Sequence, residues 1–211
     1  SDAPALRSPY PLIEAHARDW LDVGDGHRLC YEDAGPRGGL PVVFLHGGPG
    51  GQCKDKHTLP FDPHTQRVVF HDQRGSGRSV PYGRWHHNTT QELAADITKV
   101  ADHLGIDRFM VTGGSWGSLL ALYYGLQEPR RVAALVVDGV WTGSRAENDW
   151  LDQGLFRTHF PDVWARYLAE TPAAHHADPT AYHFAQVLGK DTAAAAESAR
   201  VYGNLEGSIV A

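Results

Sequence analysis

The amino-acid sequence predicts an α/β fold built on a mostly parallel sheet with helices on both faces, and two patterns carry this prediction. Short apolar segments alternate with longer helical segments along roughly the first 140 residues. This alternation is typical of parallel strands that are joined by helices. Near residue 141 the alternation stops, and the sequence becomes rich in Ala, Trp, His and Tyr. A second, largely helical region is therefore expected from there onward.

The first region contains a series of predicted strands and two predicted helices. The turn Gly24-Asp25-Gly26 joins the first two strands. Thr89-x-x-Glu92 is a capping box at the start of the first helix, and Gly105 ends that helix. The strands are predicted at 18–23, 27–34, 40–45, 67–71, 108–112 and 131–137, and the helices at 89–104 and 116–127. In the second region helical patterns cover 152–170, 179–186 and 192–202.

A serine lies between the predicted strand at 108–112 and the predicted helix at 116–127. It is the centre of Gly113-Gly114-Ser115-Trp116-Gly117, which reads G-x-S-x-G. A serine on such a strand-to-helix turn projects its hydroxyl above the sheet, and the flanking glycines permit the strained backbone. Ser115 is therefore the candidate nucleophile, with an ordinary strand-to-helix turn as the alternative.

A glycine-rich loop follows the predicted strand at 40–45. It reads His46-Gly47-Gly48-Pro49-Gly50-Gly51. Lipases and esterases carry an HGGG-type loop at this place, where a backbone N–H helps to form the oxyanion hole. We expect the N–H groups of Gly48 and Trp116 to serve as the two donors, and an ordinary Gly/Pro turn is the alternative.

Three motifs in this chain order resemble the signature series of the prolyl iminopeptidases, which are serine aminopeptidases of the α/β-hydrolase fold. They are His46-Gly47-Gly48-Pro49-Gly50, Asp72-Gln73-Arg74-Gly75-Ser76-Gly77-Arg78-Ser79 and Gly113-Gly114-Ser115-Trp116-Gly117-Ser118. Tyr10-Pro11 and the segment 20–27 are also similar, and the similarity weakens after about Val140. The resemblance implies that residues 1–140 form the N-terminal part of the hydrolase core and that residues 141–211 form an incomplete helical cap. It also implies release of an N-terminal residue, proline above all, from peptides through an acyl-enzyme, without metal or cofactor.

Serine hydrolysis also needs a general base and a carboxylate that orients it. In this fold the order is Ser, acid, His, and the resembled family places both partners after the cap. His46 is expected to have a structural hydrogen-bonding role, and Asp138 is a candidate acid whose alternative is a strand-end turn residue. The histidines after Ser115 are expected to pack in the cap or to face solvent; they are His159, His175, His176 and His183.

We therefore expect the chain to be truncated before the last core strands and to be nearly inactive on its own. Its expected partners are a small peptide with a free N-terminus and the remaining C-terminal segment of the same enzyme. The alternatives are an esterase-like hydrolase and a truncated, non-catalytic protein on a hydrolase scaffold.

The resemblance also implies two residues that bind substrate. Tyr202-Gly203-Asn204-Leu205-Glu206-Gly207 stands where the family has a Trp-x-x-Trp-Glu-Gly motif, so Glu206 is implied to hold the substrate ammonium. A solvated helix-end carboxylate is the alternative. Trp141 stands where an aromatic residue often lines the proline pocket. The family tends to have arginine at the position of Asp138, and this departure bears on strictness for proline.

Composition restricts the partners further. The net charge is −6 and the pI is about 6.1, which argues against nucleic acid or an anionic membrane as the main partner. No apolar run is long enough to span a bilayer. Cys30 and Cys53 are the only cysteines, so no disulfide framework is implied, and a cytoplasmic location is expected.

Overall fold

In the computed structural model, residues 8–210 are described, apart from the side chains at positions 152, 153, 209 and 210. The chain divides into two compact units, the first ending at Thr142 and the second beginning at Gly143. None of the described helices is long and apolar enough to cross a membrane.

A mixed, mostly parallel sheet forms the first unit, as the sequence predicts. Its strands are β1 (Ala15–Gly24), β2 (His27–Ala34), β3 (Leu40–Leu45), β4 (Gln66–His71), β5 (Phe109–Ser115) and β6 (Val132–Val140). Within the described residues the strand order is β1-β2-β4-β3-β5-β6. β1 and β2 pair antiparallel, as do β2 and β4, whereas β3, β4, β5 and β6 are parallel. The carboxyl ends of these four strands therefore meet at one edge of the sheet.

β5 extends three residues beyond the predicted strand, through Gly113 and Gly114 to Ser115. Glycine is unfavourable in isolated strands. Here, however, Gly113 is paired on both sides, with Leu45 of β3 and with Val137 of β6. Pairing within the sheet therefore overrides local propensity, and the candidate nucleophile is the last residue of the strand.

Two helices of the first unit pack on the same face of the sheet. They are α1 (Thr90–His103) and α2 (Trp116–Gln127), and both lie where the sequence predicts. The capping box is formed: Glu92 N donates to Thr89 Oγ1 at 3.3 Å, and Thr89 N donates to the Glu92 carboxylate at 2.8 Å. Their shared core contains Val43, Leu45, Val69, Ile97, Val100, Leu120 and Tyr124.

The opposite face of the sheet carries a second core. Among the described residues of the first unit, Phe61 and Cys53 of the segment between β3 and β4 pack there beside Val42, Val68 and Phe70. The nearby helical segment is a single 3₁₀ turn, Asp55–Thr58. Side chains alternate strictly along a strand, so neighbouring valines such as Val42 and Val43 enter different cores.

The second unit is helical, and its helices are α3 (Arg145–Asp149), α4 (Phe156–His159), α5 (Pro161–Ala169), α6 (Pro179–Val187) and α7 (Thr192–Val210). The helical pattern predicted at 152–170 is divided among three elements: a π-helical turn, Trp150–Leu155, followed by α4 and α5. The helix breaks at Phe160, whose φ is −134°. The ring of Pro161 disfavours the helical conformation of the residue before it.

Helix α7 continues eight residues beyond the predicted end at residue 202. Gly203 and Gly207 lie within it, although glycine costs about 1 kcal/mol in a helix interior. Val201 and Leu205, four residues apart, are both buried in the core of the second unit, where they join Val163, Trp164 and Tyr167 of α5. This buried pair offsets the cost of the glycines, so that tertiary packing sets the length of α7.

A buried ion pair fixes the chain between β4 and α1. Arg74 Nε donates to Asp96 Oδ2 at 2.6 Å, and Arg74 Nη2 donates to Asp96 Oδ1 at 2.9 Å. Both side chains are 1% exposed. The same guanidinium donates to the carbonyl of His87 at 2.7 Å and to Asp25 Oδ2 at 3.1 Å. The loop that begins after β4 is thereby held against α1.

A buried histidine ends β4. His71 is 1% exposed, and its Nδ1 has no hydrogen-bond partner among the described residues. The pKa of His71 is lowered to about 4, chiefly because burial would place the charged ring away from water and to a lesser extent because His46 lies nearby. The folded protein therefore resists protonation at a position where the unfolded chain accepts a proton.

The Asp96–Arg74 pair predicts a large loss of stability on substitution. Asp96→Asn leaves a buried guanidinium with a weaker partner, and the free energy of unfolding should fall by about 3–5 kcal/mol. Asp102→Asn is the matched control, since Asp102 pairs with Arg131 while 59% exposed, and it should cost no more than about 1 kcal/mol. Urea denaturation measures both, and similar losses would contradict the assignment.

His71 predicts acid sensitivity. Because its folded pKa lies below the value in the unfolded chain, stability is lost as pH falls from about 6.5 towards about 4. The contribution is up to about 3 kcal/mol. His71→Leu should flatten the dependence of unfolding free energy on pH across this window, whereas His64→Gln, at an exposed histidine, should leave the slope unchanged. Equal slopes in the wild type and His71→Leu would count against this account.

Candidate active site

Ser115 stands at the junction of β5 and α2 with a strained backbone. Its φ is 54° and its ψ is −125°, a region that residues with a side chain rarely occupy. Such a conformation costs about 1–3 kcal/mol and persists only where the surrounding structure holds it. Ser115 is also exposed. The hydroxyl thus lies on a sharp turn at the carboxyl edge of the parallel strands.

Close packing of α2 against β3 holds this turn. A Cβ atom on Gly113 would lie 2.7 Å from the carbonyl oxygen of Leu45, and a Cβ atom on Gly117 would overlap the same oxygen. Only glycine fits at either position, because backbone meets backbone without a side chain between. The two outer glycines of the G-x-S-x-G motif therefore serve helix–strand contact.

The backbone of the glycine-rich loop lies beside Ser115. A Cβ atom on Gly47 would be 3.5 Å from Ser115 Cβ and 4.0 Å from Ser115 Oγ. Gly48, the predicted oxyanion donor, has a φ of 127°, which favours glycine. The loop thus brings main-chain groups to the nucleophile with no side chain at Gly47 to intervene.

His46, at the start of this loop, is buried and uses both ring nitrogens. Its Nε2 accepts a hydrogen bond from the N–H of Gln73 at 3.0 Å, so the proton is on Nδ1, which donates to the carbonyl of Gly47 at 2.9 Å. Burial lowers the pKa of His46. Both nitrogens of this neutral imidazole are engaged in hydrogen bonds, so neither is free to accept a proton from serine.

Gln73 is a site residue that the sequence reasoning missed. Its side-chain amide donates to the carbonyl of His46 and accepts from the indole N–H of Trp116, both at 2.9 Å. Gln73 lies two residues after the strand predicted at 67–71, and this place was the available signal, since parallel neighbours bring their carboxyl ends together. His46 and Trp116 are 27 and 43 residues away in sequence, so their contact with Gln73 depends on the sheet.

Asp72, the residue before Gln73, anchors the loop that follows β4. Its carboxylate accepts from the N–H of Cys53 at 2.7 Å and from Arg78 Nε at 2.8 Å. Burial raises the pKa of Asp72, but the hydrogen bonds from Arg78 and Cys53 outweigh burial, so the pKa lies below its usual range. Arg78 also pairs with Glu32 of β2. Asp72 therefore stays ionised and holds two loops together at the sheet edge.

Trp141, a predicted substrate-binding residue, is tied to the nucleophile turn through Ser118. The hydroxyl of Ser118 donates to the carbonyl of Ser115 at 2.6 Å and accepts from the N–H of Trp141 at 2.9 Å. The Trp141 and Trp116 rings have centroids 6.1 Å apart. The Trp141 Nε1 atom is buried without a hydrogen-bond partner among the described residues. The two indole rings thus lie together next to the nucleophile turn. The sequence analysis did not identify Ser118 as the residue that links Trp141 to this turn.

Asp138 lies two residues before the end of β6 and is paired with Gly114. A Cβ atom on Gly114 would be 2.9 Å and 3.0 Å from the two carboxylate oxygens of Asp138. The candidate acid is therefore a neighbour of the turn. Among the described residues 8–142 of the first unit, no histidine is identified as the base that such an acid would orient.

Glu206 and the later histidines belong to the second unit. Glu206 is exposed on α7. His183 is buried and bonds through Nε2 to Thr171 Oγ1 at 3.0 Å, and His176 bonds to the carbonyl of Thr171 at 2.9 Å. The His175 ring stacks on Tyr182, and His159 packs against Trp150. Packing contacts thus account for these four rings within their own unit.

One group of metal-ligating side chains occurs in the part of the chain that the structure describes. Asp25, His87 and Glu92 place ligand atoms within 4.8 Å of one another at the surface. The Arg74 guanidinium, however, bonds to Asp25. A positive charge beside the carboxylate weakens the attraction of this group for a cation.

Comparison with known proteins agrees with this geometry. A family model described as the alpha/beta hydrolase fold matches residues 41–181. A proline iminopeptidase from Xylella fastidiosa is 41% identical over 203 residues, which cover 96% of this chain and 65% of the relative. A probable proline iminopeptidase from Streptomyces coelicolor is 45% identical over 170 residues, which cover 78% of this chain and 52% of the relative.

The fold is also found in solved structures. The proline iminopeptidase of Mycobacterium smegmatis superposes with a TM-score of 0.60 at 22% identity, covering 90% of this chain and 68% of that protein. The resemblance predicted from the three motifs is therefore confirmed. This chain spans less than two thirds of the length of the curated relatives just named.

Proposed function

We propose that this chain, which belongs to the α/β-hydrolase fold family, is the nucleophile-bearing part of a serine aminopeptidase of the proline iminopeptidase type. The observation that carries the proposal is the strained Ser115, exposed at the carboxyl edge of the sheet beside the backbone of the glycine-rich loop. Similarity to curated proline iminopeptidases supports the substrate class.

The proposed reaction proceeds through an acyl-enzyme. Ser115 Oγ attacks the carbonyl carbon of the first residue and loses its proton to a base, which then protonates the departing amine of the second residue. Water hydrolyses the resulting ester and releases the free amino acid. The N–H groups of Trp116 and Gly48 stabilise the oxyanion at each tetrahedral stage. This chemistry uses neither metal nor cofactor.

We further propose that the base and its acid come from a C-terminal segment that adds to β6. Support comes from the strand itself: its residues are largely exposed although most are apolar, and Val136 and Val140 are more than half exposed. An apolar strand with an open edge is suited to a further parallel strand. The longer curated relatives are consistent with such a segment. Asp138 is the alternative acid.

Substrate selection is proposed to rest on one carboxylate and one aromatic side chain. Glu206 pairs with the α-ammonium of the substrate, and Trp141 lines the pocket for the first side chain. Tyr202 and Leu205 replace the tryptophans of the family motif around Glu206, so we propose a preference for N-terminal proline rather than a strict requirement. The proposed compartment is the cytoplasm, in keeping with two buried free thiols, Cys30 and Cys53.

Replacing the nucleophile should abolish turnover. In the full-length protein that contains this chain, Ser115→Ala should lower kcat for proline arylamides by roughly 10⁴–10⁶-fold, because triad members act as a unit. A fluorophosphonate should label the wild type at Ser115, and mass spectrometry of peptides from the labelled protein locates the modified residue. Ser144→Ala, which removes an exposed helix-capping hydroxyl, should keep full turnover. Labelling at another serine, or an active Ser115→Ala protein, would refute the assignment.

Glu206 should distinguish an aminopeptidase from an esterase. Glu206→Gln should lower kcat/KM for proline arylamides by roughly 10–100-fold, since a hydrogen bond to a charged group contributes about 1.5–3 kcal/mol. A small acyl ester without an amine should be hydrolysed at the wild-type rate. Glu197→Gln, at an exposed carboxylate on the same helix, is the control and should alter neither substrate. Equal losses on both substrates would favour the esterase alternative.

A further inference from the structure

We infer that Gln73 is a positioning residue that holds the two donors of the oxyanion hole in register. This inference rests on the proposed function, because it assigns Gln73 a part in the same reaction. The two donors lie on separate segments: Gly48 on the loop after β3, and Trp116 at the start of α2. Their spacing therefore depends on whatever joins these segments.

A single side chain makes that connection. Gln73 is 2% exposed, and its Nε2 donates to the carbonyl of His46 while its Oε1 accepts from Trp116 Nε1, both at 2.9 Å. The Gln73 main chain adds a third bond, since its N–H donates to His46 Nε2 at 3.0 Å. One residue thus anchors the first residue of the glycine-rich loop and the indole of the residue that follows the nucleophile.

The chemistry of the partners requires a side chain that both donates and accepts at this position, as the Gln73 amide does. The indole N–H can only donate, and a main-chain carbonyl can only accept. The side chain between them must therefore accept on one side and donate on the other, which fixes the orientation of the Gln73 amide. A carboxylate would lack the donor for His46, and a methionine side chain has no donor and only a weak acceptor.

Gln73 is itself held in place by hydrogen bonds within the loop that follows β4. Its carbonyl accepts from the hydroxyl of Ser76 at 2.9 Å and from the N–H of Ser76 at 3.2 Å. The neighbouring Asp72 carboxylate binds Arg78 and the N–H of Cys53. The hydrogen bonds from Gln73 to His46 and Trp116 therefore start from a loop whose own position is fixed by hydrogen bonds. A displacement of about 1 Å in such a positioning contact can lower the reaction rate by roughly 10²-fold.

The test compares three variants of the full-length protein on proline arylamide and on a small acyl ester. Gln73→Met should lower kcat by about 10–100-fold on both substrates with KM changed less than about threefold, because oxyanion donors act in the transition state. Trp116→Phe removes the same indole bond, so the double variant should lose less than the product of the single losses. Unchanged kcat, or a loss confined to KM, would overturn the inference.

A pH profile separates positioning from a structural role. In Gln73→Glu, protonation of the carboxyl restores a donor for His46, so the ratio of variant to wild-type kcat should rise as pH falls. Tyr124→Phe is the control, since it removes a buried hydroxyl that bonds to Thr98 Oγ1 at 3.1 Å, near the opposite end of α2 from Trp116. It should lower Tm without lowering kcat. A flat ratio, or equal kcat losses in Tyr124→Phe, would overturn the inference.

Nuclear magnetic resonance tests the positions of Trp116 and Gly48 without relying on catalytic turnover. In Gln73→Met the indole N–H resonance of Trp116 and the main-chain N–H resonances of Trp116 and Gly48 should shift, and in Tyr124→Phe they should stay in place. If the wild type hydrolyses neither substrate, the proposed function fails, whereas these spectra still show whether Gln73 positions Trp116 and Gly48. Unmoved resonances in Gln73→Met would overturn the inference.

Discussion

The first turn of α2 touches the end of β3 backbone to backbone, and the geometry of the candidate site depends on that contact. Gly113 and Gly117 both face the carbonyl oxygen of Leu45, where a single methyl group at either position would force the segments apart. The contact fixes the direction in which the chain leaves β5. Ser115 must then adopt its unfavourable φ of 54°, and its cost is borne by the packing of α2 and β5 into one core.

Polar side chains hold the remaining loops around that turn. Asp72 and Arg74, two residues apart, bind in different directions: Asp72 towards Arg78 and Cys53, Arg74 towards Asp96 of α1. Gln73 lies between them and points to the glycine-rich loop and Trp116. Because both neighbours are buried and fully bonded, Gln73 has little freedom to move. Rigid support of this kind is what a preorganised oxyanion site requires.

Local sequence identified the parts of the fold and site that are encoded over a few residues. The G-x-S-x-G turn, the glycine-rich loop and the capping box of α1 each carry their signal within six residues. The break at Phe160 is likewise encoded locally, by Pro161. By contrast, the length of α7 follows from the burial of Val201 and Leu205 against α5, which no local pattern reveals.

Contacts between segments that are distant in the sequence could not be predicted from local patterns. Gln73 gained its partners only when β3, β4 and β5 aligned as parallel neighbours. The role of Ser118 likewise depends on Trp141 returning to the turn at the end of β6. Single-sequence patterns specify which residues are polar and which are apolar, but the pairing of side chains across a sheet is decided by strand order and register.

The exposed edge of β6 has a consequence for handling the protein. The segment Val-Ala-Ala-Leu-Val-Val of β6 contains no charge and no proline, and among the described strands β6 pairs with β5 alone, which leaves its main-chain groups unpaired along the other side. Such a segment is a template for intermolecular sheet formation. Preparations in which β6 is uncovered should therefore be kept dilute, and their colloidal behaviour should depend on concentration more strongly than a net charge of −6 suggests.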